Sequence, residues 1–504
     1  MAVTHRETER KYEASPSTQL PSLAPLFGAS RPETEDQLLV ATYFDTSDLR
    51  LARSAITMRH RTGDDEAGWH IKVPAGPVSR DEIQVPDRPD SNGEGVDPGP
   101  PPTEFVELVS AFLGGRRLVP VAEVRNHRTL SAWRTDSGGS ALQVTDDRVT
   151  ARALPDGSSR SWREFEVELG TDGDPNLLDR AEAVLTKAGI RRSDSPSKLA
   201  QALGSRLPSP PPPLGKNANA GEVVIAYLRG QVAAIRRNDL EVRRETEDAV
   251  HQLRVACRRA RSALQAFGKV LDRERTQHLI EELRWLGEAA GDARDLEVLR
   301  ERFRSELATL PAEDALGPVQ ARVTHWFAPR QAGARATLLE ALSADRYHQL
   351  LEALDGLVAH PPLQPAASRK AAAVLLAEVK AAQRRVDRHL KAAKPAAANR
   401  DVELHEARKA AKRLRYAAEA ARPSVGGAKT LVKRTKVLQN LLGEHQDAVV
   451  AAPIWRDLAV AAHGAGENGY PFGLLAGLAI GRGLDDAALA DAVADVRKAV
   501  RKLN

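Results

Sequence analysis

The chain has 504 residues, of which 42% are hydrophobic and 28% charged, so it can bury sizeable cores and is not an intrinsically disordered protein. Its single cysteine, Cys257, excludes a disulfide framework and a cysteine-based zinc site. The formal net charge of +5 combines −5 in residues 1–216 with +10 in residues 217–504. We therefore expect residues 217–504 to bind polyanions, and residues 1–216 could hold a metal ion.

The N-terminal residues carry no apolar segment that is typical of a signal peptide. The longest apolar run, Phe472–Ile480, is far too short to span a bilayer. We therefore expect a soluble cytoplasmic protein that has no membrane partner.

The first 200 residues contain short segments in which apolar and polar residues alternate between turn residues, a pattern that predicts β-strands. Two longer segments predict helices, Thr103–Leu113 and Asn176–Ala188. The predicted strands are Thr4–Tyr12, Leu38–Phe44, Ala55–Arg61, Gly68–Val73, Ala141–Val144 and Arg163–Leu169.

Several of these strands carry one face of like charge. Glu166 and Glu168 share a face with Glu164, whereas Arg59 and Arg61 form a basic face on another strand. A single charged face is usually solvated surface, and that alternative holds for each strand alone. Faces of different sign on several strands predict a shared polar lumen, in which carboxylates hold a divalent ion and basic groups hold phosphate. Oxygen ligands favour Mg²⁺ or Mn²⁺.

A polyproline stretch at residues 208–213 predicts a stiff spacer between two domains. We place an N-terminal domain at 1–204, the linker at 205–220 and a C-terminal domain at 221–502. The sequence of the C-terminal domain predicts helices almost throughout, with breaks near prolines such as Pro329. It contains two repeats, at about 221–360 and 370–502.

The clearest feature of the C-terminal domain is a basic helix stripe that occurs twice, 154 residues apart. Both copies follow the spacing i, i+3, i+7, i+10, which aligns four side chains on one helix face. Few acids interleave with either stripe, so salt bridges within the helix do not explain it. The first copy is His251, Arg254, Arg258 and Arg261, and the second is His405, Arg408, Lys412 and Arg415.

The duplicated stripe predicts an anion-binding surface, to which Arg284, Lys433 and Lys436 add further charge. One such stripe alone would more often be a solvated helix face. A metal site at the two histidines is disfavoured because neighbouring arginines would repel a cation. Nucleic acid is the main competing ligand, but no aromatic residues interleave with the basic ones as single-strand binders require.

The N-terminal domain resembles the CYTH domain, the triphosphate tunnel metalloenzyme family. The resemblance begins with Glu7-x-Glu9-x-Lys11 and continues in order over about 200 residues. One departure is Gln143, which stands where relatives often have an acid. Another is the spacing of Arg125 and Arg128, which is wider than the family's alternation. The other matching motifs are Tyr43-Phe44-Asp45, Met58-Arg59-His60-Arg61, Trp69-His70-Ile71-Lys72, Arg80-Asp81-Glu82, Asp146-Asp147, Glu166-Val167-Glu168-Leu169 and Ser197-Lys198.

This resemblance implies an antiparallel eight-stranded β-barrel that forms a tunnel and acts on triphosphates with a divalent ion. It implies Lys198 and Lys11 as catalytic residues. The implied metal ligands are Glu7, Glu9, Glu166, Glu168 and Asp146. The implied phosphate-binding residues are Lys11, Arg59, Arg61, Lys72, Arg125, Arg128 and Lys198.

The C-terminal domain resembles the CHAD domain, a conserved-histidine α-helical domain, through His251-x-x-Arg254-x-x-x-Arg258-Arg259-x-Arg261 and its second copy. This resemblance implies duplicated four-helix bundles with a basic groove that binds inorganic polyphosphate. The expected fold class is therefore an α+β multidomain protein. The expected function is metal-dependent hydrolysis of inorganic triphosphate or a related triphosphate, tethered to polyphosphate binding. The alternatives are a non-catalytic polyphosphate-binding or targeting protein, an adenylyl cyclase and a thiamine triphosphatase.

Overall fold

The computed structural model describes residues 3–28, 30–76, 79–87, 99–135, 137–154, 156–209, 211–215, 217–394, 399–481 and 484–504. It does not describe the side chains of residues 3, 445, 446, 448, 449 and 480. The chain divides into two compact units, Met1–Pro211 and Pro212–Asn504. Residues 210 and 216 of the predicted linker are outside the described residues.

The first unit is a closed antiparallel barrel, which confirms the predicted fold of this part of the chain. Around the barrel the strands follow the order β1-β5-β4-β3-β2-β6-β7-β8. The strands are β1 (Val3–Ala14), β2 (Glu33–Asp45), β3 (Thr57–Thr62), β4 (Gly68–Pro74), β5 (Ser79–Pro86), β6 (Val119–Arg134), β7 (Ser140–Ala153) and β8 (Ser159–Leu169).

Short helices accompany the strands: α1 (Arg50–Arg53), α2 (Thr103–Leu108), α3 (Ser110–Leu113), α4 (Asn176–Lys187) and α5 (Lys198–Leu203). Because alternate side chains of a strand point to opposite faces, Phe165 and Val167 of β8 pack outward against α4 while their charged neighbours point inward. Helix α5 packs its apolar residues Leu199 and Leu203 against Val124 and other residues of the barrel wall. This packing positions the residue at the start of α5 toward the lumen.

The second unit is all-helical, as predicted. Helix α9 continues through Pro329, where we expected a break, and it packs against α8. The helices are α6 (Ala220–Arg243), α7 (Ala249–Ala266), α8 (Arg273–Leu307), α9 (Val319–Ser343), α10 (Asp345–Ala359), α11 (Ala371–Ala392), α12 (Arg400–Ala421), α13 (Ala428–Gly464), α14 (Tyr470–Gly481) and α15 (Asp486–Arg501).

Two equivalent helix sets follow one another in this unit. Helix α7 packs between α6 and α8, and α12 packs in the same way between α11 and α13. Helices α7 and α12 also contact each other. Leu253 and Ala260 of α7 and Ala407 and Leu414 of α12 are fully buried, so the apolar face opposite each basic stripe forms the core. Among the described residues, no helix combines the length and the apolar composition needed to cross a bilayer.

Candidate functional sites

The barrel encloses a cavity of about 580 Å³ that is lined by the inward faces of its strands. Most of the residues predicted for the tunnel line this cavity, and they come from five strands and the start of α5. They are Glu7, Glu9, Lys11, Arg59, Arg61, Lys72, Arg128, Glu166, Glu168 and Lys198.

One group of ion pairs lies around Glu82, a lumen residue of the Arg80-Asp81-Glu82 motif that was not among the predicted site residues. Its carboxylate accepts a hydrogen bond from Arg59 at 3.3 Å and contacts His70 Nδ1 at 3.0 Å. Lys72 Nζ lies 3.7 Å from Glu82 and donates to Glu7 at 2.5 Å. Burial raises the cost of the Glu82 charge, but Lys72, His70 and Arg59 hold its pKa well below its usual value. Glu82 therefore orients the basic side chains of this wall.

A second group lies around Lys198. Its ammonium group is 2.8 Å from Asp147, 2.7 Å from Glu164 and 2.8 Å from Glu166. Arg128 donates to Asp147 at 2.7 Å and to Glu166 at 2.9 Å. Lys198 is brought here because it begins α5, whose first turn is capped by the hydroxyl of the preceding serine. Asp147 and Glu164 were not among the predicted site residues.

The remaining carboxylates of the lumen are crowded. Burial and neighbouring acids, including Glu82 and Glu168, raise the pKa of Glu7 to about 8 despite the opposing charge of Lys72. Burial likewise raises the pKa of Glu168 to about 7, although Lys72 opposes the shift. Glu7 and part of the Glu168 population therefore carry a proton near neutral pH, and a bound cation would stabilise their charged forms.

The donor set fits a hard divalent ion. Oxygens of Asp147, Glu164 and Glu166 lie within 4.8 Å of one another, and all three residues are buried. The ammonium group of Lys198 lies among these oxygens, so a divalent ion bound at all three would have to displace it. Glu9 faces Glu168 across the β1–β8 ladder and adds oxygen ligands on the same wall. Carboxylate oxygens are the ligands of Mg²⁺, Mn²⁺ and Ca²⁺. The arrangement could therefore hold a divalent cation beside basic groups that bind an anion.

Two predicted tunnel residues lie outside the cavity. Arg125 is exposed on the outer face of β6, because Val124, Asn126 and Arg128 occupy the inward positions of that strand. Asp146 is also turned away from the lumen, and its carboxylate forms two hydrogen bonds of 2.7 Å with Arg163. These two placements correct our expectation.

The neighbouring Asp147 takes the inward position that we had given to Asp146. The signal for this assignment was in the sequence: counting by twos from the lumen residue Gln143 leads to Asp147 and not to Asp146. Strand alternation therefore identifies Asp147 once the lumen face of β7 is known.

In the helical unit the two basic stripes meet. Arg258 of α7 and Arg415 of α12 both donate to the hydroxyl of Tyr416, at 2.8 and 2.9 Å. Burial and the charges of Arg408, Arg258, Arg254 and Arg415 lower the pKa of Lys412 to about 7. No acceptor or acid contacts Lys412 within the described ranges. Cations from both repeats therefore share one region, as an anion site formed by the two stripes requires.

A repeated Gly-x-x-x-Asp motif supports the central arginine of each stripe. Arg254 pairs with Asp295 at 2.5 Å and lies across Gly291, where a Cβ atom would be 3.5 Å from the guanidinium. A side chain at Gly291 would be in ordinary van der Waals contact with the guanidinium group, and Asp295 orients that group through the ion pair. The equivalent residues of the second repeat are Arg408, Asp447 and Gly443.

The other predicted basic residues surround this region. Burial, followed by the positive charge of Arg294, lowers the pKa of His251. Arg261 lies within electrostatic range of Arg284 and Arg258, and its pKa is also lowered by burial. His405 is partly buried, whereas Lys433 and Lys436 are exposed along α13.

Comparison with known proteins agrees with the two units. A CYTH domain model matches residues 5–203 and a CHAD domain model matches residues 226–456. An uncharacterized protein of Mycobacterium tuberculosis, strain H37Rv, is 37% identical over 496 residues, which is 94% of this chain and 92% of that protein.

Two solved structures are similar to part of the chain. PptA from Streptomyces chartreusis has a TM-score of 0.44 and 23% identity, covering 56% of this chain and all of that one. The CHAD domain of the plant Ricinus communis has a TM-score of 0.47 and 26% identity, covering 56% and 93%. With its closed barrel, its duplicated basic helices and a relative that matches nearly its full length, this chain belongs to the family of proteins that join a CYTH domain to a CHAD domain.

Proposed function

We propose that the barrel hydrolyses inorganic triphosphate, or a closely related triphosphate, with the help of a divalent ion. The observation that carries this proposal is the closed lumen in which buried acids alternate with buried bases. A triphosphate has several charged oxygens in a row, and a wall of ammonium and guanidinium groups matches them. The acids supply the ligands for the cation that such a substrate brings or requires.

The basic residues have distinct places in this scheme. Arg59, Arg61 and Lys72 line one wall and bind the phosphate chain. Arg128 of β6, Lys11 of β1 and Lys198 of α5 line other parts of the cavity. Lys11 and Lys198 contact Glu166 in the absence of substrate. Both lysines stay protonated, since the surrounding carboxylates keep their pKa values raised against the effect of burial. They can therefore stabilise the charge that develops on the departing phosphate.

Glu7, Glu9, Glu166 and Glu168 would hold the divalent ion, with Asp147 replacing Asp146 in the predicted set. Mg²⁺ or Mn²⁺ bound there would neutralise phosphate charge and orient the attacked group. The protein itself contributes by holding the metal ligands and the basic side chains in place. The strands fix the carboxylates, α5 fixes Lys198, and the pairs with Glu82 fix Arg59 and Lys72 before substrate enters.

The lining favours a substrate without an organic ring. Tyr43 is the one Phe, Tyr or Trp side chain among the described lining residues, and its hydroxyl group is a hydrogen-bond partner of Arg59 at 3.4 Å. A site for a purine or thiazole ring would normally contain aromatic side chains that stack on the ring. Inorganic triphosphate should therefore be a better substrate than ATP or thiamine triphosphate.

We further propose that the helical unit binds inorganic polyphosphate at the joined stripes. Nε of Arg408 is a buried donor without a hydrogen-bond acceptor in the described structure. Unpaired buried donors and crowded cations are costly in the free protein, and a polyanion relieves both costs. Affinity for long polyphosphate should fall steeply with salt, because each contact with a phosphate displaces a condensed counterion.

The test of catalysis is phosphate release by the full chain with and without metal. Glu9→Gln and excess EDTA should each lower the rate by at least about 100-fold, while the variant keeps the barrel fold because the strands pack through their opposite faces. Full activity in EDTA or in the variant would exclude metal-dependent hydrolysis. Retained polyphosphate binding with no phosphate release under any condition would favour the non-catalytic alternative.

A further inference from the structure

We call the region where the basic residues of α7 and α12 meet the basic groove. Its two halves are not equivalent, although they come from equivalent helices. When α7 and α12 are aligned by the 154-residue repeat, Arg259 corresponds to Arg413 and Arg261 to Arg415. The residues beside these pairs differ. Gln265 stands where the second repeat has Glu419, and Ser262 stands where it has Tyr416.

In one half of the groove, the carboxylate of Glu419 pairs with both arginines. Arg259 donates to Glu419 at 2.8 Å, and Arg415 forms an ion pair with the same carboxylate at 3.5 Å. The guanidinium groups of both arginines also lie over the ring of Tyr416, at 5.8 and 4.8 Å. An incoming phosphate would have to displace Glu419 to bind these two arginines.

The opposite half has no such carboxylate. Arg261 lies within electrostatic range of Arg413 and of Glu288, but across the described chain no acid lies within salt-bridge distance of the guanidinium group of Arg261 or Arg413. Arg413 and Gln265 line a small cavity, which also contains Glu378. Glu378 is already engaged by Lys269 at 2.9 Å. Two cations thus face a neutral amide at the position where the other half has an acid.

We infer that Arg261 and Arg413, with the amide of Gln265, form the stronger phosphate subsite of the groove, and that Glu419 makes the equivalent half a weak one. This inference rests on the proposed binding of polyphosphate. Its physical basis is that a phosphate can pair with Arg261 and Arg413 without competing with a protein carboxylate. The polyanion should therefore be anchored at one end of the groove and not symmetrically about it.

The inference is tested by exchanging the two residues that differ. Gln265→Glu places a carboxylate beside Arg261 and Arg413, as Glu419 is placed in the other half, and should weaken binding of long-chain polyphosphate about tenfold. Glu419→Gln should bind as tightly as the unmodified chain, or more tightly. Binding is measured by fluorescence anisotropy with the full chain at fixed salt, and the barrel is the same in both variants.

A second matched pair removes cations at equivalent positions. Arg413→Gln should weaken binding about tenfold, whereas Arg259→Gln should weaken it less than threefold, because Arg259 is already paired with Glu419. Circular dichroism and Tm verify that each variant is folded. Equal effects within either pair would overturn the asymmetry while leaving polyphosphate binding intact. No binding by the unmodified chain would overturn the proposed function of the helical unit and this inference with it.

Discussion

The ammonium group of Lys198 lies 2.8 Å from the carboxylate of Asp147, at the centre of a buried acidic group in the barrel. Asp147 is fully buried. Burial alone would raise its pKa, but the positive charges of Lys198 and Arg128 outweigh that effect and hold the pKa below the usual value. An ionised, buried acid between two bases is suited to position them and to bind a cation. We therefore expect Asp147→Asn to reduce kcat/KM for triphosphate by about 100-fold.

The adjacent Asp146 provides the control for this substitution. Its carboxylate binds Arg163 outside the cavity, so Asp146→Asn should cost about 1–3 kcal/mol of unfolding free energy but leave kcat/KM nearly unchanged. Both variants are measured by phosphate release and thermal unfolding. A larger loss of activity in Asp146→Asn than in Asp147→Asn would show that β7 presents its other face to the lumen.

Arg125 and Arg128 make a second matched pair on β6. Arg128 donates to Asp147 and Glu166 within the cavity, whereas Arg125 is exposed on the outer surface. Arg128→Gln should lower kcat/KM by about 100-fold, and Arg125→Gln by less than about twofold. Steady-state kinetics with inorganic triphosphate would distinguish them, and equal losses would argue against the assigned strand faces.

Polyphosphate binding should depend on pH through Lys412. The pKa of its ammonium group in the free protein is lowered to about 7, first by burial and then by Arg408, Arg258, Arg254 and Arg415. A bound polyanion would raise this pKa, so binding is strongest below pH 7 and requires proton uptake above it. We expect Kd to rise by up to about tenfold per pH unit above 7 until the pKa of the complex is reached.

Lys412→Arg should remove most of this dependence, since an arginine stays charged throughout the range. The measurement is a titration of the full chain with long polyphosphate between pH 6 and pH 9 at constant ionic strength. An identical pH profile in the variant and the unmodified chain would assign the dependence to another group.

The shared groove predicts coupling between the two repeats. Reversing Arg254 or Arg408 to Glu should each weaken polyphosphate binding strongly. The double variant should lose less than the sum of the two free-energy changes, because both residues serve one site. Reversal of Arg273 and Arg275, which lie outside both repeated stripes, is the control and should have a smaller effect. Additive losses with two separate binding steps would show two independent surfaces.

Much of the fold could be predicted from the sequence because strong periodic patterns decided it. Alternation in Glu7-x-Glu9-x-Lys11 placed three side chains on one face, and the structure has all three in the lumen. The repeated stripe placed Leu253 and Leu414 on buried faces, as observed. These patterns depend on local geometry, which one segment of sequence contains in full.

The missed residues depend on relationships between segments. The choice of Asp147 over Asp146 needed the register of β7 against β6 and β8, which pairs Asp147 with Arg128 and Glu164. The direction of Arg125 needed the same kind of register on β6. The difference between Glu419 and Gln265 is visible in the sequence, but its meaning emerges only when Arg259 is seen to reach across to α12.

A phosphate-release screen of the full chain is the sharpest test of metal-dependent triphosphate hydrolysis. Inorganic triphosphate, thiamine triphosphate, ATP and long-chain polyphosphate are each supplied with Mg²⁺, with Mn²⁺ and with EDTA. We predict metal-dependent phosphate release with the highest kcat/KM for inorganic triphosphate and none above background in EDTA. A clear preference for ATP or thiamine triphosphate, or no phosphate release from any substrate with either metal, would exclude inorganic triphosphate hydrolysis as the function of the barrel.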